Sequence, residues 1–372
     1  MTHCSDNEKD EQSDDDGAQR LQENLKKTSK GGKHVSFPPD GQIVSGFAEH
    51  KNADRKGERL DHRSCEALEV VLKSLHFDFI NLQAAQLEEN SVCLSRLDVC
   101  NVPMVDYPAL ALSKALLTSR LTVLHLHNAQ LSGMPLYTLV GALKVNRALR
   151  ELHLTNNLLN SYQDALQLGD LLRYNTTLRT LELSRNAVAD AGLEELCDGL
   201  RRQTAGLKLL LLRNNQITAK GMVHLAKTLP LLKVLQVLDL AENVLGDEGV
   251  QDLRTPLMVN CSLLQLGLAQ TNITCEGAVA LAEVLAENCH IQRLDLSQNP
   301  VRVGGLMALS LALRINCSLD SLDLDQVPPE EQDQFLMETQ TRLRSEIRQS
   351  CLANARRLSR LPTDPSEADG AR

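Results

Sequence analysis

Nine copies of one apolar phrase, L-x-x-L-x-L-x-x-N, begin at Leu94, Leu121, Leu149, Leu178, Leu207, Leu235, Leu263, Ile291 and Leu319, with neighbouring starts 27 to 29 residues apart. A period held that tightly means one small structural unit used many times. Within a unit, Leu181 and Leu183 alternate with Thr180, Glu182 and Ser184, the period-two pattern of a short strand with one buried face. Asn186 closes that strand, and its amide can satisfy backbone groups that the ending strand leaves open. A helical pattern follows, as in Ala191, Leu193, Leu196 and Leu200, then Met222, Leu225, Ala226 and Leu229 one unit later. A single unit cannot bury its own apolar side, so neighbours must stack. The strands then form a parallel sheet on the concave side, with the helices on the convex side. Aromatic residues are only 2% of the chain and Trp is absent, as expected of one aliphatic solution repeated throughout.

The phrase and its period, with a full helix per unit, resemble the ribonuclease-inhibitor subclass of leucine-rich repeats over about residues 60–327. The expected fold class is therefore α/β, a right-handed horseshoe solenoid over 57–327 with clear repeats from 94. Two places break the rhythm. In FDFINLQAAQL, Phe77, Ile80, Leu82 and Leu87 fall on the template, yet the next copy starts 17 residues later, too soon for a helix between them. Upstream, CEALEVVLKSLH reads as a helix without its strand. A degenerate capping repeat and a chain lacking segments of a longer relative both account for these breaks. After Leu324, Pro328 and Pro329 stop the repeat, and residues 328–361 read as a capping helix with Leu336, Leu343, Ile347, Cys351 and Leu358 on one face. Residues 362–372 read as a disordered tail. Residues 1–20 carry seven acids against two bases, and disorder is expected over the whole arm, 1–56.

The net charge of −9 argues against general nucleic-acid binding, which needs a broad basic face. No stretch of 18 apolar residues spans a membrane, and the N-terminus lacks the apolar region of a secretory signal. The expected location is intracellular, in the cytoplasm with the nucleus open. Ten scattered Cys without a CxxC then read as reduced thiols, and the sequons at Asn175, Asn260, Asn272 and Asn316 as accidental. The sequence holds no phosphate-binding loop, nucleophile elbow, zinc pattern or carboxylate pair tied to a cleft, so neither an enzyme nor a cofactor is expected.

Inside the arm lies one concentrated apolar signal, GGKHVSFPPDGQIVSGF. Val35 and Phe37 share a side in an extended strand, Lys33 adds a positive charge ahead, and Pro38-Pro39 keep the exit extended. Such a peptide suits addition to a partner's sheet edge. These residues resemble the RVxF motif by which regulators dock on the catalytic subunit of protein phosphatase 1, and Ile43-Val44 resembles the second hydrophobic pair some place downstream. Together with GERLDHRSCEALE, CEGAVALAEVLAE and VGGLMALSLALRIN, the segment resembles a family of leucine-rich-repeat inhibitors of that phosphatase over most of 33–358. The family's long acidic, Pro-rich C-terminal region is not in this sequence. The resemblance implies docking through Lys33, Val35, Phe37, Ile43 and Val44, and restraint of phosphatase activity. Ser36, between the anchors, is the expected phosphosite, since added charge would oppose docking in an apolar groove. About forty residues between Phe37 and the repeats would give a tether reaching on the order of 35 Å.

A column at the centre of the strands, Asp98, His125, His153, Glu182, Leu211, Asp239, Gly267, Asp295 and Asp323, is mostly acidic and suits either a basic second partner or plain solvation. His125, His127 and His153 lie on adjacent strands without a completing acid or thiol, which favours surface histidines over a metal site. Cys261, Cys289 and Cys317 each follow an Asn and are expected as small buried residues. Two rivals remain open: a repeat scaffold for some other protein, and a GTPase-activating protein like that for Ran, which shares this repeat subclass.

Overall fold

The computed structural model describes residues 95–203, 206–325 and 333–359, together with three strands at 35–36, 43–46 and 79–83. Nine strands form a continuous parallel sheet: β4 (Arg96–Cys100), β5 (Val123–His127), β6 (Glu151–His153), β7 (Thr180–Glu182), β8 (Leu209–Leu211), β9 (Val237–Asp239), β10 (Gln265–Gly267), β11 (Arg293–Asp295) and β12 (Ser321–Asp323). Each of the first eight is followed by a helix on the outer side. In order these are α1 (Asp106–Thr118), α2 (Gly133–Val145), α3 (Tyr162–Tyr174), α4 (Ala189–Arg202), α5 (Ala219–Thr228), α6 (Gly246–Val259), α7 (Cys275–Glu287) and α8 (Val303–Leu313). The leucine-rich solenoid expected from the period is the observed fold.

The core is a stack of aliphatic layers. Leu181, Leu183, Leu193 and Leu196 are fully buried, as are Leu210, Leu212, Met222 and Leu225 one repeat later. Ala191, expected with them, is instead exposed, because Gly192 and Leu193 take the inward positions of α4.

Two polar ladders stitch the layers. On the strand side, Asn157, Asn186, Asn215, Asn243 and Asn299 are at the template's closing position. The Asn186 side chain donates to Leu154 O and Leu183 O at 2.8 Å and accepts the amide of Asn157, so it bonds its own turn and the preceding one. This is the role that the spacing assigned to Asn186. On the helix side, Asn146, Asn175, Asn260 and Asn288 cap the ends of their helices, and Asn316 stands two residues past the Arg314 cap of α8. Asn175 accepts from Thr177 N and Leu178 N and donates to Leu143 O at 2.7 Å in the previous repeat. Thr177, Ser262 and Ser318, two residues after an asparagine, each donate a hydroxyl to a carbonyl of the preceding repeat. Three of the four N-x-S/T matches are thus buried structural elements, with Asn175, Asn260 and Asn316 between 2% and 4% exposed. The ladder also corrects the cysteine expectation: Cys261, Cys289 and Cys317 are exposed, since the asparagine before each takes the inward position.

At the C-terminal end, α9 (Gln334–Leu358) starts on Asp333, whose side chain accepts from Phe335 N and Leu336 N. Leu343, Ile347 and Cys351 are buried against the last repeat. Asn354 donates to Asn316 O and Leu319 O, supplying the bond that a further repeat's asparagine would make. Residues 328–332, at the start of the expected capping segment 328–361, lie outside the described residues.

The N-terminal edge differs from the template. β3 (Phe79–Gln83) runs antiparallel to β4, with Ile80 opposite Val99 and Leu82 opposite Leu97. Residues 84–95 connect them, a shorter stretch than the helix-bearing 101–122 between β4 and β5. Beyond β3 lie β2 (Ile43–Gly46) and β1 (Val35–Ser36), each antiparallel to its neighbour. Backbone pairing on the open side of β4 thus reaches to Val35. The rest of 1–56 and the tail lie outside the described residues.

Candidate protein-binding surfaces

Of the docking candidates, Val35 and Ser36 form β1, while Ile43 and Val44 are in β2. Lys33 and Phe37 lie outside the described residues. Val35 pairs with Ser45 and Ser36 with Val44, and β1 is the last strand of the sheet on that side. β2 has a neighbour on both sides, whereas β1 has one, so β1 is the strand whose second edge carries no partner among the described strands.

The concave column is in register across all nine parallel strands, from Asp98 opposite His125 to Asp295 opposite Asp323. In its N-terminal half, Asp98 and Glu182 each have a side-chain partner. Asp98 takes Arg96 Nε at 3.1 Å and His125 Nδ1 at 3.4 Å, and Glu182 Oε2 lies 2.5 Å from His153 Nδ1. The His125 and His153 rings lie 4.0 Å apart between centroids. Burial, reinforced by the neighbouring His153, pushes His125 down to about 4, so this imidazole stays neutral at physiological pH. The His153 hydrogen bond holds the Glu182 carboxyl below the usual range. Among the described residues no group of three His, Cys, Asp or Glu is placed to hold a metal ion.

The C-terminal half is different. Asp239, Asp295 and Asp323 make no ion pair with any cation among the described residues. Burial pushes the Asp239 carboxyl up, and it accepts from Ala241 N at 2.9 Å. Gly267 separates Asp239 from Asp295, and a Cβ there would fall 2.5 Å from Asp239 Oδ1. Beside this column, Leu209, Leu211 and Val237 are half-buried on the concave side of β8 and β9. Leu209 and Val237 went unread in the sequence, although LKLLLLRN breaks the apolar–polar alternation there.

A second surface also went unread. All four tyrosines of the chain, Tyr107, Tyr137, Tyr162 and Tyr174, lie on α1–α3 and are more than half exposed, with Met134 at 64% between them. The signal was available: these residues fall off the core positions of their helices.

Comparison with known proteins follows this geometry. The family model described as "Leucine Rich repeat" matches residues 174–197, 232–253 and 287–310. Among curated relatives, protein phosphatase 1 regulatory subunit 37 of Bos taurus is 43% identical over 218 residues, covering 48% of this chain and 31% of that protein. The repeats of this chain are similar to those of that regulatory subunit over about half of the chain. The human counterpart is 44% identical over 218 residues, covering 48% of this chain and 32% of the relative. A Caenorhabditis elegans homologue is 32% identical over 221 residues, covering 47% and 23%. The chain therefore spans about a third or less of these relatives' length, and the match is shorter than the resemblance over most of 33–358 read from the sequence. Among solved structures, the yeast Rad7–Elc1 complex is similar at TM-score 0.40 and 19% identity, covering 62% of this chain and 63% of that one.

Proposed function

We propose that this chain is a non-enzymatic regulatory subunit that docks on the catalytic subunit of protein phosphatase 1 and restrains its activity. One conjunction carries the reading: a Val-x-Phe segment, Lys33 to Phe37 with Ile43-Val44 downstream, stands ahead of repeats 43% identical to a phosphatase 1 regulatory subunit. The sheet topology supports a mode of docking. One edge of β1 carries no partner among the described strands, so it can add to a partner's strand without leaving its own sheet, whereas β2 is already paired on both sides. In this reading Val35 and Phe37 are the anchors, and Ile43 and Val44 contribute through side chains alone. Burying each anchor is worth about 1.5–3 kcal/mol before ordering costs, about 3–6 kcal/mol for the two, so the segment by itself binds no tighter than roughly tens of micromolar.

Docking tethers, and restraint of activity needs a second contact. The tyrosine surface of α1–α3 is on the same end of the solenoid as β1, and exposed tyrosines are the residue type that anchors protein interfaces. A contact held close by the docking strand acts at high effective concentration. Phosphorylation of Ser36 weakens docking, because a charge near −2 would enter an apolar groove. The reading places the chain inside the cell, where its thiols stay reduced.

The deciding experiment is affinity capture from cell lysate with the parent chain and a Val35→Ala/Phe37→Ala variant. Loss of phosphatase from the variant, with an unchanged thermal melt, supports the reading. Equal recovery of phosphatase by both forms, or by neither, overturns it in favour of a scaffold for another protein.

A further inference from the structure

We propose that the rim of the solenoid where helices end and strands begin, from α1 to β9, is a docking surface for an acidic segment, and that its occupant is the chain's own residues 6–16. The inference does not rest on phosphatase docking. The connections 119–122, 146–150, 175–179, 203–208 and 229–236 carry Arg120, Arg147, Arg150, Arg179, Lys208 and Lys233 and not one acid, in a chain whose net charge is −9. The last turns of α2 to α5 add five more bases to the same rim. Lys144 is paired with Asp170 and Arg201 with Asp198, whereas Arg120, Arg147, Arg150, Lys208 and Lys233 make no ion pair among the described residues.

Two of these bases are held in place. Arg150 Nη1 donates to Thr177 O at 3.2 Å and Arg179 Nη1 to Gly206 O at 2.9 Å, each reaching across to the next repeat. They stand immediately before β6 and β7, and Lys208 has the same position before β8, so their backbones follow the strand spacing of about 4.8 Å. Like charges brought that close repel one another, and an anionic segment laid along them relieves the repulsion. The helix dipole does not account for the row. It would draw cations to every helix C-terminus alike. Yet α6, α7 and α8 have no base in the last turn, and α7 ends on Glu287. The connections after α6 and α7, 260–264 and 288–292, carry no Lys, Arg, Asp or Glu.

Charge and reach select the occupant. Residues 6–16 carry seven acids against the single base Lys9. Strand order puts β1 five spacings from β6, roughly 24 Å, and eight from β9, roughly 38 Å. The 19 residue steps from Val35 back to Asp16 span up to roughly 60 Å, so the acidic run can reach every base of the row. A segment joined to its site through so short a stretch acts at an effective concentration on the order of millimolar, ahead of a polyanion arriving from solution. A second copy of the chain would offer the same run only at its bulk concentration. The rim is then closed to other anionic partners until the run is displaced.

Carbodiimide coupling joins a carboxylate directly to a lysine amine in contact with it, and mass spectrometry of the coupled, monomeric full chain tests the proposal. Expected are links from residues 6–16 to Lys208 and Lys233, and none to Lys220, an exposed lysine at the start of α5 on the opposite rim. Arg120→Gln/Arg147→Gln/Arg202→Gln removes charge from exposed side chains and keeps every lysine. It should lower the yield of those links about threefold, and about 0.5 M salt should do the same to the parent, whose folding the salt leaves intact. Fluorescence anisotropy of a labelled peptide of residues 1–20 reads whether the rim is occupied. The full chain with Glu8→Gln/Glu11→Gln/Asp14→Asn/Asp15→Asn/Asp16→Asn should bind that peptide about fivefold tighter than the parent, because its rim stands open. Absence of links to Lys208 and Lys233, links spread evenly over these and Lys220, or links found only in a dimer overturns the proposal. Equal peptide affinity for the two forms also overturns it, and leaves the rim to an external polyanion.

Discussion

Replacing Asn215 by Ala tests whether the asparagine ladder holds the repeats together. This side chain is fully buried; its Oδ1 accepts from Asn186 N at 3.1 Å and Val188 N at 3.3 Å, and its Nδ2 donates to Leu183 O at 2.9 Å and Arg213 O at 3.3 Å. Truncation does not affect these groups equally. Leu183 O keeps a bond from the Asn186 side chain, and Arg213 O keeps one from Arg185 N. The amides of Asn186 and Val188 have no replacement acceptor and are left unpaired inside the solenoid. At about 1–3 kcal/mol for each buried unpaired donor, and less for the longer bond, the expected loss is about 3 kcal/mol. Asn215→Thr should lose less, because Thr271 occupies this position in a later repeat and is itself fully buried. The control is Asn214→Gly, an exposed neighbour at φ +54°, where glycine adopts the left-handed backbone without strain and stability should change by no more than about 0.5 kcal/mol. Urea unfolding followed by circular dichroism reads all three. An Asn215→Ala curve that overlays the Asn214→Gly curve would refute the ladder argument.

Other measurements probe the remaining sites. His125, pushed down to about 4 by burial, binds its proton more weakly folded than unfolded; stability should be complete above pH 6.5 and fall as pH drops from 6.5 toward 4, and His125→Gln should flatten that slope by on the order of 1 kcal/mol, measured by urea melts across pH. Among the described cysteines, mass-spectrometric mapping of thiol alkylation should find Cys261, Cys289 and Cys317 modified first, while Cys197, buried and pushed up to about 12, reacts only on unfolding; early labelling of Cys197 would contradict its placement. Asn354→Ala should leave Asn316 O without that donor and lower the melting temperature by a few degrees, about 1–2 kcal/mol, by loosening the terminal cap. Tyr137→Ala/Tyr162→Ala should leave phosphatase capture intact and weaken restraint of its activity; undiminished inhibition would move the second contact elsewhere.

The sequence by itself determined what repetition determines. A strict period of Leu, Leu, Leu and Asn can bury its apolar side only by stacking, so strand, helix, parallel order and the concave column of nine residues were all legible from spacing. Even the task of Asn186 followed from its place at the end of a strand. Decisions that turn on contact between units were not legible. Cys261 recurs as regularly as Asn260, and only the stacked structure shows that the asparagine faces inward while the thiol faces out. The antiparallel direction of β3 and the pairing of Val35–Ser36 depended on strand edges that exist only once the sheet has formed. The pairing state of the acids was equally hidden: Asp98 and Asp295 read alike along the chain, yet one makes an ion pair with Arg96 and the other makes none among the described residues. Period dictates which residues share a position, whereas charge compensation and exposure depend on the neighbours that three dimensions bring to each copy.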